Sequence, residues 1–520
     1  MATDAVDEHP SGTGLPRFAA APVLALAAAS CALLMAFSAR NGYHRDELYF
    51  LEAARHLAWG YVDQPPLSVA LAWLSSHLLG HSLPGLRLFP ALAFAAAVVL
   101  AGLIARELGG GRFAQSLTAL LLGFSVMIAA AHLAGPSAYD LTFWLLASWL
   151  VVRILRTDDR RLWLAVGATV GVALLNKQTI LFLVIGLVVG LLLDRRWRTL
   201  ATPWVLGAAV LALVIWLPNI VWQAQHGWPV LEMDRNLHRE HSGLGFTISF
   251  PFIQLLLFGL AALPVWLAGL WALWRETRFR AYRAFAFAFV LLFVGLLLFM
   301  ADRPYYLAPL YVVLIAAGSL ITSDVVEGRR RFFSAAPPKR RLIWRSRRAA
   351  IIFVVVLAAL FMPIALPVLP PSALAKHPLQ NINYNLGEEV GWPELTATVA
   401  RVYHALPPAE RATTVILTGN YGEAGAIDRY GPALGLPNAY SGHNSFWWWG
   451  PPRPARTTTI VVGLTDTPRY LERYFTDVQR VATIHNRYRV ANDEEGMPVW
   501  LCRGQRQPWA VIWPQFKNYG

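Results

Sequence analysis

Long apolar runs recur between residues 18 and 370, and no other feature of this sequence constrains its fold as strongly. An apolar run of about 18 residues or more is long enough to cross a bilayer as a helix. A soluble core could bury one such run, but not a whole series of them. Only 15% of the residues are charged, against about a quarter in ordinary soluble proteins. The sequence therefore predicts a polytopic α-helical membrane protein.

We predict about eleven membrane spans, because a helix needs roughly 20 apolar residues to cross the hydrocarbon core. Their approximate ranges are 18–38, 84–105, 113–133, 139–156, 161–176, 178–193, 203–224, 248–274, 283–300, 305–322 and 350–370. The first run is too long for the core of a signal peptide, so we expect it to remain in the protein as the first span.

The net charge is +14, which in a soluble protein would favour a nucleic-acid partner. Here the basic residues concentrate in every second loop between apolar runs, most densely at 329–348. Positively charged loops stay on the cytoplasmic side. We therefore predict a multi-pass protein of the plasma (inner) membrane, with its N-terminus in the cytoplasm and without a nucleic-acid partner. An odd number of spans then places the C-terminal region outside the cytoplasm.

The region 376–520 differs in character from the apolar part of the chain. Short β-like runs at 414–417 and 458–464 alternate with helical patterns at 394–406 and 468–480. Alternating strands and helices are typical of an α/β domain. We therefore expect two domains, a transmembrane domain at 1–375 and a soluble extracytoplasmic α/β domain at 376–520.

Two adjacent acids, Asp46 and Glu47, follow directly after the first predicted span. The stretch 46–60 has apolar residues at helical spacing, which predicts an amphipathic helix lying at the membrane surface. A carboxylate in this place can act as a general base. The alternative is that both acids only begin the helix, where negative charge interacts favourably with the helix dipole.

Four short motifs flank predicted spans and fall on the same predicted side of the membrane. They are Arg45-Asp46-Glu47-Leu48-Tyr49 followed by Gln64-Pro65-Pro66-Leu67, then Tyr139-Asp140-Leu141-Thr142, Leu174-Leu175-Asn176-Lys177-Gln178, and Arg303-Pro304-Tyr305-Tyr306-Leu307-Ala308-Pro309. Their order and spacing over about residues 20–370 resemble the protein O-mannosyltransferase superfamily. That group includes the lipid A aminoarabinose transferase and related bacterial family 39-type glycosyltransferases.

The resemblance implies a GT-C fold and an inverting glycosyltransferase that moves a sugar from a polyprenyl-phosphate carrier to an extracytoplasmic acceptor hydroxyl. It implies Asp46 as the catalytic base, with Glu47 beside it and Asp140 as a supporting second acid. A phosphate leaving group needs positive partners rather than a general acid. For the carrier phosphate the resemblance offers Arg45, Lys177, Arg303, Tyr305 and Tyr306. It implies no metal and no cofactor.

Two departures from the family pattern limit what can be transferred. Gln64 stands where bacterial relatives often carry a lysine, so a phosphate contact expected there is in doubt, and we keep Asp63 and Gln64 as candidate substrate contacts. The C-terminal region does not match the β-trefoil of the mannosyltransferases. The acceptor, which could be a glycan, a lipid or a protein, therefore does not follow from the resemblance.

The loop 225–247 contains His238 and His241 on either side of an acid. This set could bind a metal, but its spacing is not that of the HExxH zinc enzymes. We favour a hydrated loop that lines the substrate cavity.

The C-terminal region offers further candidate substrate contacts. Asn420, Tyr421 and Glu423 lie in a glycine-containing segment between a β-like run and a helical one, although a tight strand-to-helix turn explains the same pattern. Trp447, Trp448 and Trp449 are consecutive and cannot all face one core. They suit either stacking on a sugar ring or anchoring at the lipid interface.

Two other functions remain open from the sequence. A transporter or flippase of a lipid-linked sugar would place ionisable residues near the bilayer midplane, often in internal repeats. The acids here lie in outer loops and no repeat is visible, which disfavours transport. A glycan-binding membrane protein without catalytic activity is the second alternative. In the favoured interpretation the partners are a polyprenyl-phosphate-linked sugar, an extracytoplasmic acceptor and the lipid bilayer.

Overall fold

A computed structural model describes residues 14–240, 243–327, 329, 340–454 and 457–520. The chain up to residue 365 is helical. Its α-helices are α1 (Ala20–Phe37), α2 (Arg45–Ala53), α3 (Leu67–Leu79), α4 (Leu83–Glu107), α5 (Arg112–Gly123), α6 (Ala129–His132), α7 (Pro136–Thr157), α8 (Leu162–Leu174), α9 (Ile180–Leu193), α10 (Pro203–Gln225), α11 (Pro229–Glu240), α12 (Leu244–Leu256), α13 (Leu263–Arg275), α14 (Arg283–Phe299), α15 (Ala308–Val326) and α16 (Arg340–Ala365).

The helical part has the multi-pass architecture that the apolar runs predict. Within the described ranges, seven helices are long and apolar enough to cross a membrane. α5 and the helical segment Val126–His132 that follows it are bent by 56° relative to each other, and together they would make an eighth span. Four further apolar helices are shorter, among them α8 and α9. The expected single span at 248–274 is wrong, because α12 ends at Leu256 and α13 begins at Leu263. Gly259, with φ of +80°, lies in this break.

Small residues allow the helices of the bundle to approach closely. A Cβ atom added to Gly269 of α13 would lie 1.8 Å from the carbonyl oxygen of Leu314, and one added to Gly318 would lie 1.8 Å from that of Val265. Close backbone contact of this kind is typical of membrane helices. α15 lies in the middle of the bundle, with 78% of its apolar window buried, whereas the corresponding figure for α10 is 17%. α10 therefore presents most of its surface to the lipid.

The C-terminal region is an α/β unit, as predicted, but the helical pattern expected at 468–480 is wrong beyond Leu471, because a strand begins at Phe475. Its strands are β1 (Thr414–Thr418), β2 (Ala439–Ser441), β3 (Thr458–Val462), β4 (Phe475–Thr483) and β5 (Pro498–Gln505), in the sheet order β2-β1-β3-β5-β4. β2, β1 and β3 are parallel, whereas β5 and β4 pair antiparallel. The helices are α17 (Pro371–Leu374), α18 (Trp392–Ala405), α19 (Pro408–Ala412), α20 (Tyr421–Tyr430), α21 (Phe446–Trp449), α22 (Pro468–Leu471) and α23 (Trp509–Ile512).

α2 connects the bundle to the α/β unit. A Cβ atom added to Gly425 of α20 would lie 2.8 Å from the carbonyl oxygen of Leu48, so α2 and α20 pack with their backbones close together. A shared apolar cluster contains Leu48 and Phe50 of α2 together with Trp392 of α18. The short helix that begins with the predicted catalytic acids is thus held between the two parts of the protein. The helix ends at Ala53, so the sequence pattern predicted its start better than its length.

Candidate active site

A cavity of about 680 Å³ lies between the bundle and the C-terminal region. It brings together five of the residues that the sequence motifs single out, although they lie up to 259 positions apart in the chain; these residues are Asp46, Asp140, Lys177, Arg303 and Tyr305. The remaining polar lining includes Tyr384 and Asn385 of the C-terminal region. Apolar residues around the break between α5 and α6, such as Val126 and Met127, complete the wall.

Asp46 presents its carboxylate to the cavity from the first turn of α2. His44 fixes the start of this helix, because its side chain caps the helix and accepts a hydrogen bond from the backbone N–H of Asp46 at 3.2 Å. The Tyr421 hydroxyl donates to Asp46 Oδ1 at 2.8 Å, and burial together with the Asp46 charge raises the pKa of Tyr421. The Asp46 side chain is 47% exposed. It is thus a carboxylate that is oriented by neighbours and still open to a substrate.

Glu47 lies in a different environment, although it is the next residue. It is fully buried and completes a capping box through the N–H of His44, which donates to it at 2.8 Å. The Arg87 guanidinium donates to both of its carboxylate oxygens, at 2.8 and 2.7 Å, and the N–H of Ala134 donates at 2.8 Å. Glu47 is not among the residues that line the cavity. Its hydrogen bonds hold the start of α2 in place.

Arg87 is the centre of a buried charge network behind this helix. Besides Glu47, its guanidinium donates to the carbonyl oxygens of Ser38 and Gly42, each at 3.0 Å. It also lies 2.9 Å from His132 Nε2 and 3.5 Å from Glu389 of the C-terminal region. Although burial opposes ionisation, His132 and Arg87 hold the pKa of Glu389 below its ordinary value. The network thus fastens α2, α4 and the C-terminal region to one another.

Lys177 and Arg303 place positive charge on another wall of the cavity. Lys177 lies in the short connection between α8 and α9, and its ammonium is 4.8 Å from the centre of the Tyr306 ring and 5.2 Å from that of Tyr305. The Arg303 guanidinium is 5.8 Å from the Tyr306 ring and 3.0 Å from Asp234 of α11. Together these groups form a cationic corner that can receive an anion.

Asp140 lines the same cavity from the first turns of α7. Its carboxylate accepts a hydrogen bond of 2.8 Å from the Thr179 hydroxyl, which ties it to the connection that carries Lys177. Asp302 also contributes to the lining, and it forms an ion pair of 3.3 Å with Arg303. The cationic corner is therefore partly neutralised by neighbouring acids.

Arg45 and Asp63 lie beside the cavity rather than in its lining. Arg45 forms ion pairs with Asp493 at 3.1 Å, with Glu388 at 3.8 Å and with Asp46 at 3.8 Å, so its charge lies between the acids of the C-terminal region and Asp46. Burial, with a smaller contribution from Asp46, raises the pKa of Asp63 to about 7, against the hydrogen bond from the Tyr49 hydroxyl. Neither residue is among those that line the cavity, although Arg45 contacts Asp46, which does.

Gln64 and His238 are not among the residues that line the cavity. Gln64 is buried, and within the described chain its amide nitrogen has no hydrogen-bond partner. His238 is exposed on α11, where the neighbouring Leu237 contributes to the cavity wall instead. His241 lies outside the described residues. Among the described residues, no group of three or more His, Cys, Asp or Glu side chains could hold a metal ion.

The segment around Asn420 is the tight strand-to-helix turn that was the alternative interpretation. Asn420 accepts from the N–H of Glu423 at 3.0 Å, and Glu423 accepts from the N–H groups of Gly419 and Asn420, so the pair forms a capping box at the start of α20. Of the three candidates in this segment, only Tyr421 reaches Asp46.

The three consecutive tryptophans point in different directions from α21. Trp447 donates to the Trp513 carbonyl oxygen at 3.4 Å and packs in the core of the α/β unit. Trp449 stacks on His56 with ring centres 4.6 Å apart. Trp448 is exposed and touches His226 edge-on at 5.0 Å. Trp447 therefore packs within the α/β unit, and Trp449 packs between this unit and the helical part of the protein.

Sequence reasoning missed the contribution of residues 384–389. Tyr384 and Asn385 line the cavity, and Glu389 joins the Arg87 network. The sequence does contain an acidic pair, Glu388-Glu389, just before the Gly-Trp-Pro start of a helix. Nothing in this pattern shows which distant part of the chain the pair contacts. The sequence also gives no sign of the role of Arg87, which lies inside the apolar helix α4.

Comparisons with known proteins agree with this geometry. The family model described as dolichyl-phosphate-mannose-protein mannosyltransferase matches residues 63–222. No curated protein matches the sequence. The crystal structure of ArnT from Cupriavidus metallidurans bound to undecaprenyl phosphate is similar, with a TM-score of 0.56 and 18% identity, covering 93% of this chain and 98% of that one.

Two further structures share the architecture. The apo structure of the same ArnT has a TM-score of 0.58 and 17% identity, again covering 93% of this chain and 98% of that one. The arabinofuranosyltransferase AftD from Mycobacteria has a TM-score of 0.51 and 14% identity, covering 94% of this chain and 40% of that one. The chain therefore has a GT-C fold, and its resemblance to the superfamily of protein O-mannosyltransferases and lipid A aminoarabinose transferases is confirmed.

Proposed function

We propose that the protein is an inverting glycosyltransferase that moves a sugar from a polyprenyl-phosphate carrier to a hydroxyl group of an acceptor. The observation that carries this proposal is the meeting of a half-exposed carboxylate, Asp46, with the cations Lys177 and Arg303 around one cavity. The resemblance in fold to ArnT, whose structure was determined with undecaprenyl phosphate, supports a carrier of the same chemical class.

In the proposed reaction the acceptor oxygen attacks the anomeric carbon of the sugar. Asp46 accepts the proton that this oxygen loses as the new C–O bond forms. The bond between the anomeric carbon and the phosphate oxygen breaks, and its electron pair leaves with the polyprenyl phosphate. Lys177 and Arg303 stabilise the negative charge that develops on the phosphate. Attack opposite the leaving group inverts the anomeric centre.

The supporting residues follow from their contacts. The hydroxyl of Tyr421 orients the carboxylate of Asp46. Asp140 accepts a hydrogen bond from Thr179 and thereby positions the segment between α8 and α9 that carries Lys177. We assign Glu47 to positioning rather than to contact with substrate, because its two oxygens are occupied by Arg87 and backbone N–H groups. Tyr305 and Tyr306, packed against Lys177, complete the proposed phosphate site.

The apolar side of the cavity is suited to the lipid part of the carrier. Its lining comes from the break and bend between α5 and α6 and from the residues that follow, namely Val126, Met127, Ala129, Ala130 and Leu133. A broken helix at membrane depth is tolerated where it borders a cavity. The polyprenyl chain can therefore lie against this wall while its phosphate reaches Lys177.

The membrane arrangement is part of the same proposal. We propose about eleven crossings in the plasma (inner) membrane with a cytoplasmic N-terminus, since shorter helices such as α8 and α9 can complete the set. Residues 1–375 then form the transmembrane domain, and 376–520 form an extracytoplasmic domain above the cavity. An acceptor would enter past Tyr384 and Asn385. The sugar carrier and the acceptor are thus bound on the extracytoplasmic side.

The test uses the full-length protein in nanodiscs with a panel of polyprenyl-phosphate sugars and candidate acceptors. Release of polyprenyl phosphate and formation of the glycosylated product are followed for the wild type, for Asp46→Asn and for a control, Asp477→Asn. Asp477 is a comparable acid, 42% exposed against 47% for Asp46, but it lies on β4 away from the cavity. We expect a loss of at least about 100-fold in turnover for Asp46→Asn alone.

The same experiment separates the two alternatives. A glycan-binding protein without catalysis would retain binding of the carrier and show no release that depends on Asp46. A flippase would move the lipid-linked sugar across the bilayer of a vesicle without cleaving it. Equal turnover for Asp46→Asn and Asp477→Asn would refute the assignment of Asp46 as the base.

A further inference from the structure

Three exposed tryptophans surround the end of α10 that lies next to the C-terminal region. Trp59 is 58% exposed, Trp228 is 42% exposed and Trp448 is 41% exposed. We call these three residues the tryptophan rim. Within the described part of the chain, none of them lines the cavity of the proposed active site. A large exposed aromatic side chain is costly in water, so a group of them at one level calls for a partner.

Contacts with the last two turns of α10, and with the residue that follows it, place the three tryptophans near the end of this helix. Asn219 of α10 donates to the carbonyl oxygen of Trp59 at 2.8 Å. His226, directly after α10, touches Trp448 edge-on at 5.0 Å. The N–H of Trp228 donates to the carbonyl oxygen of Gln223 at 2.8 Å. All three tryptophans are therefore held where α10 ends, although they come from three distant parts of the chain.

α10 itself faces the lipid. Only 17% of its apolar window is buried, and beyond Trp204 at its start its exposed large apolar side chains are aliphatic. The exposed residues include Leu206, Val210, Leu213, Leu217 and Val221. This apolar strip leads directly to the rim at its end. A surface that is apolar along a span and aromatic at its end is the arrangement of a protein at the membrane–water interface.

The exposure of Trp448 contrasts with the packing of the two tryptophans beside it in the sequence. Trp447 and Trp449 on either side of Trp448 are held inside the protein by Trp513 and His56. The single turn of α21 then directs the side chain between them outward. Trp448 contacts Trp447 and His226 with its ring edge but remains 41% exposed, and this exposure needs another explanation.

We propose that the tryptophan rim inserts into the headgroup region of the bilayer leaflet on the side of the C-terminal region. The amphipathic indole ring suits this zone, because its ring contacts lipid chains while its N–H meets water and phosphate groups. The partner is a phospholipid interface. The insertion holds α21 of the C-terminal region at the level of the membrane beside the cavity. This proposal does not depend on the glycosyltransferase reaction.

The test measures the depth of single labels in the full-length protein. Cys502 is buried, so replacing Cys31 by Ser leaves no reactive thiol in the described chain. A nitrobenzoxadiazole label is attached to Trp448→Cys, or to Val481→Cys as a control, in nanodiscs with nitroxide-labelled phosphatidylcholine. Val481 is similarly exposed, at 39%, but it lies on β4, at the sheet edge opposite to β2. We expect headgroup nitroxides to quench the label at 448 at least about twofold more than the label at 481.

A second labelled position keeps the test decisive if Trp448→Cys does not fold. Trp59→Cys should show the same strong quenching as Trp448→Cys, because both belong to the rim. Quenching at 448 and 59 that does not exceed the control would overturn the proposal. So would weak quenching together with a higher KM for a soluble acceptor in Trp448→Ala, because that result assigns Trp448 to sugar stacking.

Discussion

The two charged walls of the cavity are held in different ways. On the base wall, which carries Asp46, the supporting Arg87 is buried and all its hydrogen bonds go to protein groups such as Glu47 and backbone carbonyls. On the cation wall, Lys177 rests against the Tyr305 and Tyr306 rings, and Arg303 pairs with the exposed Asp234.

This difference fits what each wall has to do in the proposed reaction. A base must hold one orientation toward the attacking hydroxyl, since a misplaced catalytic group loses much of its effect. The cations must exchange their present partners for a phosphate that arrives and leaves in each cycle. We therefore expect changes on the base wall to affect folding as well as activity, and changes on the cation wall to affect carrier binding.

The largest effect is expected from Arg87→Met. The substitution leaves Glu47 buried without its cation and leaves Glu389 with His132 as its remaining partner, and removing one partner of a buried ion pair costs about 3–5 kcal/mol. Thermal unfolding of the purified protein measures this loss. Arg160→Met is the matched control, because Arg160 pairs with Asp158 at 3.3 Å and both side chains are exposed, so that the cost is about 0–1 kcal/mol. Equal stability of the two variants would contradict the role given to the Arg87 network.

Changes on the cation wall should weaken carrier binding without loss of folding. Lys177→Met and Arg303→Met should each raise the KM for the carrier sugar by about 10- to 100-fold, which corresponds to the loss of one hydrogen bond to a charged group. Lys177→Arg keeps the charge and should lose less. Steady-state kinetics with varied carrier concentration give the result. A fall in kcat with an unchanged KM would place these residues elsewhere in the reaction.

The sequence predicted the residues of the cavity better than the residues that support them. Asp46, Lys177 and Arg303 follow from the family resemblance, whose motifs lie at the ends of apolar runs on one predicted side of the membrane, and all three line the cavity. The pairing of Arg87 with Glu47 could not be read in the same way, because it depends on how two helices rotate about their axes. Glu389 comes from a loop more than 300 residues away from Glu47.

Other differences arise from local geometry. The span expected at 248–274 is interrupted because Gly259 adopts a positive φ, which a hydropathy pattern does not reveal. The three tryptophans were treated as one feature, whereas one helical turn separates them by about 100° per residue and sends them to different partners. Asn420 and Glu423 match a capping box, which explains their types without a ligand.

A smaller effect is expected from Tyr421→Phe on the base wall. This change removes the hydroxyl that donates to Asp46 at 2.8 Å but keeps the ring, which stacks on Tyr49. One hydrogen bond contributes about 0.5–1.5 kcal/mol, so kcat should fall by roughly two- to tenfold while the KM for the carrier stays the same. Tyr440→Phe, in β2, serves as the control and should leave kcat unchanged. A rise in the carrier KM would show that Tyr421 contacts the donor instead.

The smallest effect concerns the pH dependence of the contact between α2 and α20. Burial, with a smaller contribution from Asp493, raises the pKa of Glu423 to about 8, against hydrogen bonds from Asn420 and Gly419. The ordinary pKa of this carboxyl is 4.5, so its burial weakens the folded state progressively as the pH rises from about 4.5 to about 8. Glu423→Gln keeps the hydrogen-bond acceptor and removes the ionisation. It should therefore raise the unfolding temperature by about 1–3 °C near pH 8 and leave it nearly unchanged near pH 5.

Glu410→Gln provides a control of the opposite sign. The hydrogen bond from Arg503 holds the pKa of Glu410 below its ordinary value, so the stability from this group is present above that value and is lost as the pH falls. This variant should lower the unfolding temperature near pH 8, where Glu423→Gln raises it. Parallel shifts of both variants would mean that Glu423 is ionised in the folded protein. The junction that carries the proposed base would then tolerate a buried charge, and the contrast between the two walls of the cavity would rest on Arg87 alone.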